Sequence, residues 1–200
     1  MIKLTFPLIL ASKSPARKEL LHLLGVPFDI MPSNFEEPLH SSVLTHPEQF
    51  AQHLALEKGK EVLSRLQRKA IVLSADTIGV IDHEVLEKPA DRDHAKAMMK
   101  KLSGKTHQVL TAIAVFFPDR ENPVCKTVTT NVTFHDLQEE EIEHYLDQEE
   151  YHEKAGAYAI QKTASLFVKE IQGDFFNIVG LPVSAVYQIL KAVDGSQKNL

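Results

Sequence analysis

One carboxylate lies inside an apolar segment of this 200-residue chain. Asp76 stands in "VLSADTIGV", within the nearly continuous apolar run 70–81. An ionised carboxylate in such a run loses several kcal/mol of hydration unless a cation, hydrogen-bond donors or a metal ion compensates for the loss. Asp76 is therefore a candidate for proton transfer or metal binding. The alternative is an aspartate at a strand end that accepts hydrogen bonds from nearby backbone N–H groups.

Three other charged residues could share a ligand with Asp76. Glu37, in the acidic pair 36–37, could add an oxygen ligand for Mg²⁺, which typically takes one or two carboxylates plus water and substrate phosphate. Lys88 is held in extended chain because a proline follows it. Lys58 lies on a predicted helix. Each of these three residues alone is also consistent with an ordinary solvated side chain.

The segment "SKSPAR" at 12–17 reads as a turn that opens a helix. Ser14 suits the N-cap, and Pro15 suits the first helical position, where its missing N–H costs nothing. Lys13 and Arg17 lie at the positive end of the helix dipole, where cations are disfavoured. An arriving phosphate chain would neutralise them, so an anion site is one hypothesis and a capped helix with solvated basic side chains is the other. No nucleophile elbow or Ser–His–Asp order supports Ser12 or Ser14 as a nucleophile.

Alternating and continuous apolar patterns predict an α/β fold with a mixed β-sheet flanked by helices. Helices are predicted at 15–24, 45–66, 91–102, 139–150 and from 182. Strands or extended segments are predicted at 8–11, 26–38, 70–81, 84–89, 107–117, 124–137, 165–171 and 175–180, with a turn at Asp82-His83 before 84–89. Capping boxes are predicted for Thr45 with Glu48 and for Asp136 with Glu139, and the tail 194–200 is expected to fray.

The bulk composition limits the class of protein. With 44% hydrophobic and 24% charged residues, the chain is expected to form a single globular domain over 1–200. Its net charge of −5, with basic residues spread along the chain, argues against a nucleic-acid polymer as partner. No segment reaches membrane-spanning length, so no membrane association is expected. The single Cys125 fits a reducing compartment and a cytoplasmic location, and the ten histidines form no zinc pattern.

Taken together, these segments resemble the Maf (septum formation) family of nucleoside triphosphate pyrophosphatases. That family carries a "SxSPRR" turn followed by short acidic, basic and glycine-containing motifs in a fixed order. The order and spacing match over nearly the whole chain, so a chance likeness is very improbable. The corresponding segments here are "SKSPAR" (12–17), "EE" (36–37), "EK" (57–58), "SADT" (74–77), "KP" (88–89), "LSGKTHQVLT" (102–111), "EKAGAYAIQK" (153–162) and "GLP" (180–182).

The resemblance implies an enzyme that hydrolyses a nucleoside triphosphate to its monophosphate and pyrophosphate with a divalent metal ion, Mg²⁺ or Mn²⁺. It implies an elongated Maf/ITPase-like α/β fold with the active-site cleft between two lobes, and a homodimer by analogy. "SADT" with "KAGAYAIQ" is similar to the branch that acts on dTTP and UTP, so a canonical or modified pyrimidine nucleotide is the expected substrate.

The same resemblance assigns roles by position. Asp76 corresponds to the general base or metal-anchoring acid, and Glu37 to a second carboxylate beside the metal. Thr77 and Gln161 correspond to the base-recognition positions. The phosphate-binding positions are Ser12, Lys13, Ser14, Arg17, Lys58 and Lys88.

Four residues depart from the family pattern. Ala16 replaces an arginine, while Lys13, Ala159 and Lys162 stand where glycines are usual. A lost arginine weakens phosphate binding, although Lys13 could return a charge from the other side of the turn, and Lys162 is expected to narrow the pocket. The alternatives to the pyrophosphatase are a nucleotide-binding regulator of cell division with little catalysis, and a general phosphatase that releases inorganic phosphate.

Overall fold

The computed structural model describes residues 2–37, 46–86, 88–152 and 154–196. None of the helices in these ranges is both long enough and apolar enough to cross a membrane. The helices are α1 (Pro15–His22), α2 (Pro47–Arg65), α3 (Arg92–Leu102), α4 (Glu139–Asp147), α5 (Phe175–Val179) and α6 (Val183–Ser196). The strands are β1 (Leu8–Leu10), β2 (Phe28–Ile30), β3 (Ile71–Ile81), β4 (Glu84–Leu86), β5 (Thr106–Phe116), β6 (Val124–Phe134) and β7 (Val168–Gln172).

These strands form one mixed sheet, which confirms the predicted α/β class. The order is β2-β1-β3-β5-β6-β7, with β4 paired to β3. β1 is parallel to both β2 and β3, whereas β4, β5, β6 and β7 join by antiparallel pairing. The apolar run 70–81 forms the long β3 because burial on both faces of the sheet favours such a sequence.

One edge of β3 has a gap. β1 pairs with 71–73 and β4 with 79–81, while β5 covers the opposite edge over 72–80. Within the described ranges, no strand pairs with β3 between the ends of β1 and β4. This gap lies just beyond the carboxyl end of β1, and the carboxyl ends of strands are where open α/β sheets bind ligands.

The two faces of β3 contact different elements. Val72, Ile78 and Val80 pack with residues of α2, whereas Leu73 and Ala75 pack in a second cluster with residues of α1 and α6. Successive side chains of a strand point to opposite faces. Asp76 therefore shares the face of α2, and the next residue, Thr77, shares the face of α1. A third cluster packs α3 and α4 against β5 and β6.

Two predicted capping boxes differ from the helix starts in the structure. α2 begins at Pro47 with His46 as its N-cap, and Thr45 lies outside the described residues. α4 begins after Gln138, whose backbone N–H donates to the Glu141 side chain at 2.8 Å, so the box predicted at Asp136 is two residues early. In contrast, Ser14 caps α1 as predicted, because its hydroxyl accepts from the Arg17 N–H.

The predicted strand at 175–180 is wrong, because this segment forms α5. The Asp174 carboxylate accepts from the Phe176 N–H at 2.8 Å, and Gly180 ends the helix with φ of +119°. The strand predicted over 165–171 is also shorter, since a 3₁₀ turn at Thr163–Phe167 precedes β7. At the chain end, 194–196 are the last residues of α6, and 197–200 lie outside the described residues, so the fraying expected for the tail stays a prediction.

Helix α2 lies unusually close to the sheet at Gly59. A Cβ atom on Gly59 would stand 2.1 Å from Cε2 of Phe116 and 2.7 Å from Oγ of Ser74. Only a glycine permits this approach. It brings the preceding residue, Lys58, within reach of the polar part of β3.

The buried His107 joins β5 to the segment that follows α4. Its Nε2 lies 2.7 Å from the hydroxyl of Tyr158, and its Nδ1 has no hydrogen-bond partner within the described residues. A proton on Nδ1 would add a buried N–H donor without an acceptor. Burial accordingly lowers the pKa of His107 to about 4.

We expect Gly59→Ala to lower the free energy of unfolding by about 1–3 kcal/mol, because the added methyl group overpacks the helix–sheet contact. Helix propensity alone predicts the opposite sign, since alanine is favoured over glycine by about 1 kcal/mol. Urea unfolding of both proteins measures the difference. The exposed Lys60→Ala on the same helix is the control and should change little. A stabilised Gly59→Ala protein would contradict the packing described here.

We expect the free energy of unfolding to fall as the pH drops from about 6.5 to about 4, because over this range the unfolded chain protonates His107 and the folded chain does not. The lowered pKa corresponds to a total loss of about 3 kcal/mol from this one residue. Denaturant unfolding across this pH range should show a shallower dependence for His107→Gln. Parallel curves for the two proteins would contradict the lowered pKa of His107 in the folded chain.

Candidate active site

A cleft of about 720 Å³ opens at the gap in the edge of β3. Its walls come from the turn before α1, from Glu37, from β3, and from the segments around Lys154 and Gly180. The cleft therefore collects residues that are far apart in the sequence. Its polar and glycine lining residues include Ser12, Lys13, Ser14, Arg17, Glu37, Asp76, Thr77, Gly79, Lys88, Lys154, Tyr158 and Gly180.

Two carboxylates of the cleft share one ammonium group. Lys58 Nζ lies 2.5 Å from Asp76 Oδ1 and 2.7 Å from Glu37 Oε1. The Asp76 side chain is 8% exposed and that of Lys58 is 13% exposed, so water screens this pair weakly. Lys58 is thus bound to the carboxylates, and its predicted phosphate-binding role stays a prediction.

The surroundings of the two carboxylates shift their pKa values in opposite directions. Burial raises the pKa of Asp76 above the ordinary value, although Lys58 and Arg17 oppose the shift. Glu37 is also partly desolvated, but the positive charges of Lys58, Lys88 and Arg17 outweigh this cost and lower its pKa. Asp76 is therefore the more basic of the two carboxylates, as proton acceptance requires.

Arg17 is fixed in the opposite wall by hydrogen bonds to three acceptors. Its Nε donates to the Gly180 carbonyl at 2.9 Å and its Nη2 to Thr77 Oγ1 at 3.0 Å, while Nη1 lies 3.5 Å from Ser12 Oγ. A guanidinium carries five N–H donors, so two are left over among the described contacts. Burial lowers the pKa of Arg17, and Asp76 and Glu37 oppose this shift electrostatically. The group remains charged because an arginine pKa starts above 12.

The two serines of the turn differ in what they can offer a ligand. Ser14 Oγ caps the helix by accepting from the Arg17 N–H. Ser12 Oγ accepts from the Ser14 N–H at 3.2 Å and lies near Arg17. Because these bonds use Ser12 as an acceptor, its own hydroxyl hydrogen is available to donate to an anion.

Three lysines from separate segments add positive charge around the cleft. Lys13 and Lys88 were predicted from the sequence, whereas Lys154 was not. Together with Arg17 they outnumber Asp76 and Glu37 in the lining. This balance suits a ligand with several negative charges, although the protein as a whole is acidic.

Gln161 is the predicted site residue that the structure does not bring to the cleft. It is exposed and is absent from the lining residues. Its neighbour Ile160 is buried in the core, so the chain at this turn points Gln161 outward. Lys162 is also exposed and lies 3.9 Å from Glu150, so the predicted narrowing of the pocket by Lys162 is not found. The base-recognition role of Gln161 stays a prediction.

Three features of the cleft are not predicted by the sequence patterns. Lys154 and Tyr158 lie in "KAGAY", a motif whose resemblance to the family assigns no role to either residue. The Gly180 carbonyl, an acceptor for Arg17, could not be expected while 175–180 was predicted as a strand. The glycine before "LP" was the available signal, since glycine is typical after the end of a helix.

Glu37 and Asp76 fit a magnesium site that is completed by substrate. In the described residues, no group of three or more His, Cys, Asp or Glu side chains could hold a metal ion. The two carboxylates nevertheless accept from the same ammonium, so their oxygens lie close together. Two carboxylates plus substrate phosphates are a usual ligand set for Mg²⁺.

Comparisons with known proteins find relatives of this chain along almost its whole length. A family model described as "Maf-like protein" matches residues 7–193. A dTTP/UTP pyrophosphatase of Bacillus velezensis is 46% identical over 188 residues, which cover 94% of this chain and 97% of that protein. One of Alkaliphilus oremlandii is 46% identical over 184 residues, covering 92% and 94%. A crystal structure of a nucleoside-triphosphatase / dITP/XTP pyrophosphatase from Mycobacterium abscessus gives a TM-score of 0.40 at 13% identity, over 66% of this chain and 75% of that one.

Proposed function

We propose, since the chain belongs to the Maf-like family, that it is a nucleoside triphosphate pyrophosphatase acting on dTTP and UTP. The products are the nucleoside monophosphate and pyrophosphate. The relatives in Bacillus velezensis and Alkaliphilus oremlandii carry this activity in their names. The observation that supports it in this chain is a buried carboxylate, Asp76, in a cleft whose other charged groups are mostly cations.

In the proposed reaction, water attacks the α-phosphorus and pyrophosphate leaves. Asp76 orients this water and accepts its proton, and the raised pKa of Asp76 improves it as a base. Arg17, Lys13 and Lys88 bind the phosphate chain and stabilise the negative charge that develops on the leaving group. Because Arg17 is already fixed by protein acceptors, little of its conformational freedom is lost on binding.

A divalent metal ion, Mg²⁺ or Mn²⁺, is the proposed cofactor, with Glu37 and Asp76 as its protein ligands. When bound, such an ion lowers the pKa of water and polarises the phosphate. Carboxylate oxygens are the ligands that both ions prefer. Lys58 bridges the two carboxylates and so holds their oxygens side by side.

The more detailed predictions from the sequence remain part of this proposal. Thr77 lines the cleft and is kept as a base-recognition candidate, with Gln161 as the second. The homodimer, the cytoplasmic location and the lack of a nucleic-acid partner are expectations from the sequence. The choice of a pyrimidine base rests on the relatives' names and on the motif resemblance.

A product assay tests the reaction class. We expect the purified protein to release pyrophosphate from dTTP and UTP when Mg²⁺ or Mn²⁺ is present, and to act more slowly on purine nucleotides. Pyrophosphate and inorganic phosphate are measured separately on the same panel. Tight nucleotide binding without product would indicate the regulator instead, and release of inorganic phosphate alone would indicate a general phosphatase.

We expect Asp76→Asn to lower kcat by about 10²–10⁴-fold, because the amide cannot accept the proton of the attacking water. The amide keeps the shape of the side chain, and Lys58 retains Glu37 as a partner. Asp119→Asn, the same change at an exposed loop residue, is the matched control and should leave kcat unchanged. Thermal unfolding of both variants checks the fold. Normal turnover in a folded Asp76→Asn protein would exclude Asp76 as the base.

A further inference from the structure

Behind the Arg17 wall of the cleft, a chain of hydrogen bonds leads into the core. Arg17 Nη2 donates to Thr77 Oγ1 at 3.0 Å, Thr77 Oγ1 lies 2.9 Å from Thr111 Oγ1, and the Thr111 hydroxyl donates to the Asn177 carbonyl at 2.9 Å. Thr111 and Asn177 are fully buried, and neither is among the residues that line the cleft. They can therefore affect a bound ligand only indirectly, through the residues that line the cleft.

The direction of these hydrogen bonds is fixed by their last acceptor, the Asn177 carbonyl. A carbonyl oxygen can only accept, so the single hydroxyl hydrogen of Thr111 goes to Asn177. Thr77 must then donate its own hydrogen to Thr111, which leaves the Thr77 oxygen as an acceptor toward Arg17. The Gly180 carbonyl competes for the Thr77 hydrogen only at 3.5 Å. Thr77 is thereby held as a lone-pair acceptor for the guanidinium.

The Asn177 side chain fixes α5 on the sheet. Its Nδ2 donates to the Val109 carbonyl and to Thr130 Oγ1, both at 2.9 Å. The Thr130 hydroxyl donates to the Asp174 carbonyl at 3.0 Å and accepts from the Asp174 N–H at 3.1 Å. A helix of five residues is unstable in isolation, so these contacts with β5 and β6 hold it in place.

Two of the three acceptors that hold Arg17 thus depend on α5, while the third, Ser12, does not. One is Thr77, through the hydroxyl chain that ends on the Asn177 carbonyl. The other is the Gly180 carbonyl directly after α5, which accepts from Arg17 Nε.

We infer that Thr111 and Asn177 are positioning residues that set the orientation of the Arg17 guanidinium for the phosphate chain. This inference rests on the proposed function. It assigns a task at the cleft to Thr111, the last residue of the "LSGKTHQVLT" motif, and to the asparagine of "NIVGLP", although neither residue reaches the cleft.

The sharpest test compares two substitutions at Thr111. Thr111→Val keeps the shape of the side chain but removes the hydroxyl, whereas Thr111→Ser keeps the hydroxyl. We expect Val to lower kcat/KM for dTTP about tenfold, the value of roughly one hydrogen bond, and Ser to restore most of it. The affinity for inorganic pyrophosphate, measured by titration calorimetry, should fall in parallel.

A double-mutant cycle separates positioning from general stability. If Thr111 acts through Arg17, Thr111→Val should have little further effect on pyrophosphate affinity in an Arg17→Ala background. Asn177→Ala should behave in the same way, provided that thermal unfolding shows it folded. Ser103→Ala removes a partly buried hydrogen bond in which Ser103 Oγ accepts from the Leu137 N–H. Neither residue lines the cleft, so this variant is the control that should leave kcat/KM unchanged.

Two outcomes would overturn the inference. In the first, Thr111→Val shows wild-type kcat/KM and wild-type pyrophosphate affinity. In the second, the loss of pyrophosphate affinity caused by Thr111→Val adds fully to the loss caused by Arg17→Ala. Failure of the proposed function gives a different result, because the wild-type protein would then release no pyrophosphate. Calorimetry with pyrophosphate still measures the coupling between Thr111 and Arg17 in that case.

Discussion

The contact of Lys58 with Asp76 and Glu37 is the interaction on which the site depends. Two ionised carboxylates that lie beside each other in a partly buried cleft repel unless a cation lies between them, and removing one partner of a buried ion pair costs about 3–5 kcal/mol. The helix must come near the sheet for this ammonium to reach β3. Gly59 permits that approach, because a larger residue would collide with Phe116. The position of the Lys58 charge in the cleft thus depends on close packing at the next residue, Gly59.

The gap in the sheet edge and the alternation of β3 together divide the cleft into two sides. Asp76 faces α2 and meets the lysine there, while Thr77 faces α1 and meets Arg17. In the proposed reaction, these two neighbouring residues therefore have separate tasks: Asp76 accepts the proton, and Thr77 holds the arginine that binds phosphate. The strand keeps these groups apart, so Arg17 weakens the basicity of Asp76 less than a direct ion pair would.

Sequence patterns predicted the parts of the fold that local rules control. The β3 run, the Ser14 cap and the β5–β6 pairing each have a local signature, and Asp76 was identifiable because an acid in an apolar run needs compensation. α5 was missed because "FFNIV" has strand propensity, which the contacts of Asn177 with two strands override. The contact of Lys58 with both carboxylates could not be predicted either, since it depends on the distance between a helix and the sheet. No periodicity encodes such a distance.

The strands β3 and β5 run through more than one of the hydrophobic clusters. Leu73 and Ile113 belong to the cluster around α1 and α6, while Ile81 and Val109 belong to that around α3 and α4. The cleft walls that these clusters carry are consequently joined by unbroken backbone ladders. A displacement of one cluster relative to the other would therefore require a change of sheet twist, spread over many small backbone rotations along these strands.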